Sequence, residues 1–347
     1  MRIGIIGAGW FGCHIAYVLK QKGHHIKLFE KNDRIFSSAS GNNTGRLHRG
    51  FHYPRCQETM NQTKLGFLEF EKRYKDFLYK VDKNIYGVSK DGSYMSWDSY
   101  KNVLKKSGLQ FVEKSPDELG LRNLSGALIC DEYFIDFSKS INFFNERIRD
   151  EITFNHKVKS ISEKGNVISI DNKYDFDYVI DCTYGAFTQM IGFEVQYELV
   201  QLPIFIDTTK KQNISYVIMD GEFQTLSPLK TNNKSNVFSL YDVKYSRLHI
   251  SDNFKEIQNE FSKINSTGKD FKVENSSEII DKAEYYNPGF SEKFRLENAV
   301  LSTRAIINDL NANRTCKIEY DGRLIKVFSG KINTIFEAEN RLLDFLS

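Results

Sequence analysis

The feature that most constrains the fold of this sequence lies at its start, where a short apolar segment leads into a glycine motif. Arg2–Ile6 predicts a buried strand, residues 7–12, GAGWFG, fit G-x-G-x-x-G, and residues 11–21 predict a helix. In such a turn the first glycine permits the tight bend, the second lets the backbone approach a pyrophosphate, and the third lets helix and strand pack closely. Free N–H groups and the helix dipole would then face phosphates. The start of the chain therefore predicts a dinucleotide-binding βαβ unit, with a chance glycine-rich turn as the alternative.

An acidic residue in the next predicted strand supports the same unit. Residues 25–30, HIKLFE, alternate in character as a half-buried strand does, and Glu30 lies at the strand's end. A carboxylate at that place accepts hydrogen bonds from an adenosine ribose and repels a 2′-phosphate. The motif and the acid together do not show whether the bound dinucleotide is FAD or NAD.

Composition excludes several other classes of protein. The 347 residues include 40% hydrophobic and 14% aromatic side chains, enough for a large core in two lobes. The 48 basic and 45 acidic residues nearly balance, so we expect no nucleic-acid partner. The five cysteines lie far apart without a C-x-x-C pair, which argues against a metal site and favours a reducing, cytoplasmic compartment. No apolar run is long enough to predict a membrane span or a signal peptide.

The remainder of the chain predicts two interleaved lobes, because no Pro-rich linker separates them. Residues 195–298 are rich in β-branched and aromatic residues and predict an antiparallel sheet, with a hairpin turn at 220–223. The other periodic segments predict helices at 57–77, 97–107, 137–149 and 334–345, and strands returning to the first sheet at 158–162, 167–170 and 178–181.

A later stretch carries a family resemblance. Residues 43–54, NTGRLHRGFHYP, resemble a segment of the D-amino-acid oxidase/glycine oxidase (DAO) superfamily of FAD-dependent oxidoreductases, most closely its L-2-hydroxyglutarate dehydrogenase/oxidase branch. Three later segments resemble the family in the same order: GALICDEYFIDF at 126–137, VIDCTYGA at 179–186, and LSTRAIINDL followed by LIKVFSGKINTIFEAENRLLDFL. Two residues depart from it, Ala305 for a common proline and Ile332 for a common glycine, and they predict a different backbone path in the flavin loop.

The resemblance implies an α/β fold in which a Rossmann-like FAD-binding lobe (GR2-type flavoprotein) is interleaved with an α+β substrate lobe built on an antiparallel sheet. It places the cofactor lobe at 1–84, 140–192 and 295–347 and the substrate lobe at 85–139 and 193–294. FAD is expected to bind non-covalently, because Cys316 does not match a tethering position. The motif and the resemblance assign to the cofactor Gly7, Gly9, Trp10, Phe11, Gly12, Glu30, Lys31, Asn42, Asn43, Thr44, Gly45, Arg46, Leu47, Val158, Thr183, Gly185, Arg304, Gly330, Lys331, Ile332, Asn333 and Thr334.

The resemblance also implies two catalytic residues, His48 and Arg304. An alcohol must lose its O–H proton as hydride leaves, and histidine suits that base role near neutral pH. The alternative for His48 is a hydrogen-bonded loop residue. The fork of Arg304 suits a substrate carboxylate, and its alternative is a structural ion pair with Asp309.

The surplus of cations in this region predicts a small anionic substrate. The predicted substrate-binding residues are Arg46, Arg49, His52, Tyr53 and Lys331. Lys331 could instead be a solvated surface lysine. Four aromatic residues in the antiparallel region line the substrate pocket or simply pack the sheet: Tyr216, Phe223, Tyr241 and Tyr245.

The leading hypothesis is an FAD-dependent oxidoreductase that oxidises a CH–NH or CH–OH bond of an amino acid, hydroxy acid or carboxylated sugar-like compound by hydride transfer to flavin N5. One alternative is a flavin-dependent nucleotide-sugar isomerase resembling UDP-galactopyranose mutase, although residues 34–37 lack the glycine pair of its I-G-G-N segment. The other is a non-catalytic dinucleotide-binding protein.

Overall fold

The computed structural model describes residues 1–231, 234–266, 272–307 and 314–347. Within these ranges the helices are α1 (Trp10–Gln21), α2 (Gln57–Tyr74), α3 (Trp97–Lys106), α4 (Phe137–Ile148), α5 (Phe254–Ser266), α6 (Ser276–Tyr286), α7 (Phe290–Lys293) and α8 (Ile335–Leu346). The strands are β1 (Arg2–Ile6), β2 (His25–Phe29), β3 (Arg46–Leu47), β4 (Leu78–Tyr79), β5 (Lys83–Ser89), β6 (Phe111–Lys114), β7 (Leu124–Cys130), β8 (Tyr133–Ile135), β9 (Ile152–Thr153), β10 (Ile161–Lys164), β11 (Val167–Ile170), β12 (Tyr174–Phe176), β13 (Tyr178–Asp181), β14 (Val195–Asp207), β15 (Ile214–Met219), β16 (Gln224–Thr231), β17 (Lys234–Asp242), β18 (Arg247–Ser251), β19 (Phe294–Ile307), β20 (Lys317–Asp321) and β21 (Leu324–Phe328).

The first lobe is built on a six-stranded sheet in the order β20-β21-β13-β1-β2-β9. β1 lies in the middle, parallel to both neighbours, and Ile3 is paired with Tyr178 on one side and Ile26 on the other. β1 is buried on both faces of the sheet. A parallel strand in such a position needs apolar side chains on both sides, which accounts for its near-continuous apolar sequence. Helices α1, α4 and α8 pack together beside this sheet. The carboxyl ends of the parallel strands meet at one edge, where α/β sheets bind nucleotides.

The second lobe is built on a nine-stranded, mostly antiparallel sheet in the order β18-β14-β17-β16-β15-β5-β7-β6, with β19 paired to β14. β14 and β19 are antiparallel and pair along their length, from Val195 opposite Ile307 at one end to Asp207 opposite Phe294 at the other. One face of the sheet packs on α6 and α7, burying Phe205, Ala283 and Phe290 in one cluster. Two small sheets, β10-β11-β12 and β3-β8-β4, complete the fold. The predicted fold class, an α/β cofactor lobe interleaved with an antiparallel substrate lobe, is confirmed.

The structure corrects three details of that prediction. Of the three strands expected to return to the first sheet, only β13 does so; β11 pairs with β10 and β12 in a separate meander that buries Ile168 and Phe176 over Val179. The segment 195–298 also contains α5, α6 and α7. Residues 295–307, assigned to the cofactor lobe, form β19 of the substrate sheet, because this strand completes its hydrogen bonds with β14. The predicted turn at 220–223 does connect antiparallel strands β15 and β16.

The described ranges contain neither a membrane-spanning helix nor a metal-binding cluster. None of the helices there is long and apolar enough to cross a membrane. No group of three or more His, Cys, Asp or Glu side chains in those ranges is arranged to hold a metal ion.

Candidate active site

A cavity of about 440 Å³ lies between the carboxyl edge of the first sheet and the antiparallel sheet. The cofactor lobe lines it with the start of α1, the end of β2 and the segment 36–44. The substrate lobe lines it with side chains of β14, β16, β17 and β19, among them Val200, Thr225, Tyr241 and Arg304. The cavity is therefore a shared space in which a cofactor and a substrate can meet.

The glycine motif forms the turn that the sequence predicted. Gly7 has φ of +94°, and its N–H donates to the carbonyl of Phe29 at 2.8 Å. A Cβ at Gly12 would lie 1.9 Å from the Gly7 carbonyl oxygen, so only glycine lets α1 pack so closely on the turn. The first N–H of the helix, at Trp10, donates to Ser40 Oγ at 2.9 Å. A Cβ at Gly9 would lie 2.7 Å from the same hydroxyl, so Ser40 would have to turn away from it.

Glu30 is held at the cavity wall by its neighbours. Its side chain is buried and accepts the Ala8 N–H at 2.8 Å on Oε2 and the Asn32 N–H at 3.0 Å on Oε1. A carboxylate has about four lone-pair positions, so these bonds leave it able to accept from a ribose diol. The ribose contact of Glu30 stays a prediction, and Glu30 lines the cavity as that contact requires.

The residues around the cavity fit a bound FAD. The turn at Gly7, with φ of +94°, and the buried carboxylate of Glu30 both line the cavity, as a dinucleotide requires. The predicted cofactor residues that line the cavity are Gly7, Gly9, Trp10, Phe11, Glu30, Lys31, Asn42, Asn43, Thr44, Arg46, Val158, Thr183, Arg304, Gly330, Lys331, Ile332 and Asn333.

The other predicted cofactor residues support the wall from behind. Leu47 is fully buried in the core of the first lobe, because β3 turns it away from the cavity. The hydroxyl of Thr334 lies 2.6 Å from that of Ser329 and holds the loop before α8. Gly12, Gly45 and Gly185 shape the backbone, the last two at φ of +64° and +75°. These five residues do not line the cavity, and their contact with the cofactor stays a prediction.

His48 lies in the cavity wall beside a second histidine. Its Nδ1 is 3.3 Å from the hydroxyl of Tyr86, and its ring centroid is 4.6 Å from that of His52. Burial lowers the pKa of His48 well below its usual value, and the positive charges of Lys331 and Arg46 and the neighbouring His52 add to the effect. Burial, Lys331 and Arg46 lower the pKa of His52 in the same way. Both imidazoles are therefore neutral near pH 7, the form in which histidine accepts a proton.

Two arginines predicted to bind substrate have other partners. Arg46 lies along the wall, but its fully buried guanidinium bonds Asn84 at 2.5 Å and Glu132 at 3.3 Å and also contacts Ser215. The buried carboxylate of Glu132 requires this counter-charge. Arg49 does not line the cavity; its guanidinium lies over the Phe67 ring at 4.9 Å, and its Nη1 is 3.7 Å from Asp131. Both guanidinium groups thus have protein partners, and their predicted substrate role stays a prediction.

Arg304 faces the cavity from β19 and is paired with a residue that sequence reasoning missed. Its Nε donates to Glu198 Oε2 at 2.9 Å, and its Nη2 bonds the same oxygen. Glu198 lies directly opposite on β14 and also faces Arg247 at 3.6 Å. Asp309, the partner considered from sequence, lies outside the described residues. The guanidinium also lies over the Tyr241 ring at 5.0 Å.

Lys331 lies in the cavity wall near His48 and Arg304. Its Nζ lies 4.6 Å from the centroid of the Tyr53 ring, and no carboxylate within the described ranges pairs with it. Burial lowers the pKa of Lys331 to about 7, and Arg314 and Arg304 add to the shift. An anion beside this amine would stabilise its charged form.

The predicted aromatic residues divide into two groups. Phe223 and Tyr241 line the cavity, whereas Tyr216 is buried in the core of the second lobe and Tyr245 packs against that core. Tyr53 stands behind the wall beside His48 and Lys331. The hydroxyls of Tyr53 and Tyr241 are buried and have no hydrogen-bond partner among the described residues.

Sequence reasoning missed four residues around this site. Ser40, Tyr86, Glu132 and Glu198 all contact predicted site residues. Glu198 and Glu132 carried a signal, since each is an acid within or next to an apolar strand segment. Nothing local distinguished Ser40 or Tyr86.

The fold and the cavity define a two-lobe protein with a dinucleotide-binding type of glycine turn, and the comparisons with known proteins name its family. The chain belongs to the DAO family, described as FAD dependent oxidoreductase, whose family model matches residues 2–231. The protein is an FAD-dependent oxidoreductase, which confirms the enzyme class and the cofactor that the sequence predicted and sets aside the isomerase and the non-catalytic protein.

The relatives agree on FAD. The chain is 31% identical over 344 residues to the FAD-dependent monooxygenase FPY4 of Fusarium mangiferae, covering 99% of this chain and 90% of the relative. It is 24% identical over 375 residues to the FAD-dependent monooxygenase kojA of Aspergillus flavus, covering 100% and 86%.

Solved structures show the same fold. L-alpha-glycerophosphate oxidase from Mycoplasma pneumoniae with FAD bound matches with a TM-score of 0.74 at 15% identity, covering 99% of this chain and 94% of that chain. Glycine oxidase from Geobacillus kaustophilus matches with a TM-score of 0.68 at 12% identity, covering 99% and 93%.

Proposed function

We propose that the protein oxidises a CH–NH or CH–OH bond of a small acidic substrate, such as an amino acid, a hydroxy acid or a carboxylated sugar-like compound. The observation that supports this is the placement of the neutral imidazole of His48 in the same cavity wall as the cations Lys331 and Arg304. FAD, when bound, supplies the hydride acceptor at flavin N5.

The cations bind and orient the substrate in this proposal. Lys331 lacks a carboxylate partner in the described part of the chain, so its ammonium is the group that a substrate anion complements best. Arg304 is held in place by its ion pair with Glu198. In this proposal its fixed guanidinium orients the substrate, and its charge is already compensated. The unpaired hydroxyl of Tyr241 offers a further hydrogen bond to a polar substrate.

His48 takes the proton in this proposal. A hydroxy acid must lose its O–H proton as its C–H bond breaks, and the neutral imidazole accepts it. A neutral amine needs no such base, so the dependence on His48 separates the two substrate classes.

Anaerobic mixing with candidate substrates tests the proposal. The flavin of the purified protein should bleach with an amino, hydroxy or sugar acid, and His48→Gln should lose bleaching by a hydroxy acid while retaining FAD. His25→Gln, an exposed histidine on β2, is the matched control. If no member of these classes bleaches the flavin, the proposed function is wrong.

A monooxygenase is the second candidate, because the curated relatives FPY4 and kojA bear that name and cover nearly the whole chain. Isotopically labelled dioxygen separates the two. An oxidase returns the label in hydrogen peroxide, whereas a monooxygenase places one labelled atom in the organic product.

Several finer expectations belong to this proposal. The likeness to the L-2-hydroxyglutarate branch stays a prediction. We propose lobe boundaries as predicted from sequence, except that 295–307 join the substrate lobe. The five free thiols agree with the expected cytoplasmic compartment. Non-covalent FAD is tested by denaturation, which should release all the yellow colour into the soluble fraction.

A further inference from the structure

We propose that Tyr86 and Glu132 form a hydrogen-bond chain that fixes the tautomer of His48, with the proton on Nδ1 and the lone pair of Nε2 available in the cavity. Tyr86 and Glu132 are positioning residues in this scheme and do not touch the substrate. The inference rests on the proposed function only in taking His48 as the group that receives the substrate proton.

The first step is the bond between Tyr86 and Glu132. Both side chains are buried, and the Tyr86 hydroxyl donates to Glu132 Oε2 at 2.8 Å. A phenol has one proton to donate, and burial raises the pKa of Tyr86, so the proton stays on it. At its other contact the Tyr86 oxygen can therefore act only as a hydrogen-bond acceptor.

That second contact is Nδ1 of His48, at 3.3 Å. An accepting oxygen requires a protonated Nδ1, and Glu132 Oε2, 3.9 Å from the same nitrogen, favours a proton there. Since the imidazole is neutral, Nε2 carries the lone pair. Nε2 has no hydrogen-bond partner among the described residues, and the ring lines the cavity.

The scheme depends on an ionised Glu132. Its described neighbours all donate: the Arg49 N–H to Oε1 at 2.7 Å, Arg46 Nη1 to Oε2 at 3.3 Å, and Tyr86 to Oε2. A protonated carboxyl would need one of these groups to accept instead, and of the three only the Tyr86 hydroxyl can do so. Burial raises the pKa of Glu132, and the charge of Arg46 and the three donated hydrogen bonds oppose this shift.

The opposite arrangement keeps the same hydrogen bonds with their directions reversed, so an experiment can distinguish the two. If Glu132 were protonated it would donate to Tyr86, Tyr86 would donate to Nδ1, and Nε2 of His48 would carry the proton. A base could not then act through Nε2. The two arrangements differ in which ring nitrogen is protonated.

Nitrogen NMR of the FAD-loaded protein with labelled histidine distinguishes them, because protonated and unprotonated ring nitrogens have well-separated shifts. His48→Gln identifies the His48 signals. We expect a protonated Nδ1 and an unprotonated Nε2 in the parent protein and loss of this preference in Tyr86→Phe. Tyr100→Phe is the matched control, since Tyr100 is equally buried but donates to the Phe51 carbonyl at 2.9 Å.

Kinetics gives the second readout. Tyr86→Phe should slow flavin reduction about 10- to 100-fold, the usual effect of removing a partner that orients a histidine. It should also move the acidic limb of the pH profile, to which His52, Lys331, Arg46, Tyr53 and Glu132 contribute as the ionisable neighbours of His48. Tyr100→Phe should leave rate and profile unchanged. Glu132→Gln is a secondary variant, because it leaves Arg46 buried without its counter-charge.

A proton on Nε2 in the parent protein would overturn the inference, as would a Tyr86→Phe variant with the parent tautomer and rate. The NMR measurement needs no substrate, so it stands even if the proposed function fails. Conversely, a normal rate in His48→Gln together with the expected tautomer would refute the base role and leave the hydrogen-bond chain intact.

Discussion

At the scale of single residues, Lys331 is the side chain whose charge depends most on what binds beside it. Its pKa of about 7 means that the ammonium is present below that pH and is lost above it. Lys331→Met should weaken binding of a competitive carboxylate inhibitor by roughly 10- to 150-fold, the equivalent of about 1.5–3 kcal/mol for a charge-assisted hydrogen bond. Titration of the flavin spectrum with inhibitor measures this.

The same amine sets a pH dependence. In the parent protein the inhibitor should bind tightly below pH 7 and progressively less well as the pH rises, because the neutral amine no longer attracts the anion. The Lys331→Met variant should show no such loss over this range. Equal pH dependence in the two proteins would assign the anion site to Arg304 instead.

Glu198 is the residue whose charge the antiparallel sheet depends on. Its buried carboxylate faces both Arg304 and Arg247, so Glu198→Gln should lower the free energy of unfolding by about 1–3 kcal/mol, a moderate value because both guanidinium groups are partly exposed. Chemical denaturation measures the change. Glu194→Gln, an exposed neighbour in sequence, should be neutral, and an equal loss in both variants would contradict the account.

At the scale of elements, helix α2 and the loop before α8 fit together through one glycine. A Cβ on Gly66 would lie 1.9 Å from the carbonyl oxygen of Asn333, which is backbone and cannot rotate away. The Asn333 side chain in turn donates to the carbonyl of His48 at 2.7 Å and to that of Thr63 at 3.1 Å. The packing of this helix therefore sets both the loop and the position of His48.

Gly66→Ala should push helix α2 and the loop before α8 apart. We expect a loss of about 1–3 kcal/mol in stability from overpacking and at least a tenfold weaker affinity of the apoprotein for FAD. Quenching of flavin fluorescence measures the affinity. Leu65→Ala, 68% exposed one residue earlier, is the control, and normal FAD affinity in Gly66→Ala would show that the loop does not hold the cofactor.

At the scale of the whole molecule, the cavity walls come from both large sheets, so a ligand that fills the cavity ties the lobes together. Saturating FAD at about 100 times its dissociation constant should stabilise the fold by about 2.7 kcal/mol. Calorimetry should show one transition for the loaded protein and a lower Tm after FAD removal. An unchanged Tm would contradict preferential binding of FAD to the native state.

The parts that could be predicted from sequence are those encoded by neighbouring residues. The turn at Gly7, the close packing at Gly12 and the acid at Glu30 lie within a single βαβ unit, where spacing alone fixes geometry. The strand-rich second lobe was also readable from its composition, although α5, α6 and α7 were missed because their short amphipathic patterns stand between strands.

Only the tertiary structure decided how the cations and histidines are partnered. Glu198 reaches Arg304 across 106 positions of sequence, and Tyr86 reaches His48 and Glu132 across 38 and 46. Such pairs form where strands distant in sequence become neighbours, and no local spacing encodes strand register over those lengths. Sequence alone thus determined the cofactor turn and the chemical character of the site, while the fold determined which of its arginines are already paired and left Lys331 to face the cavity.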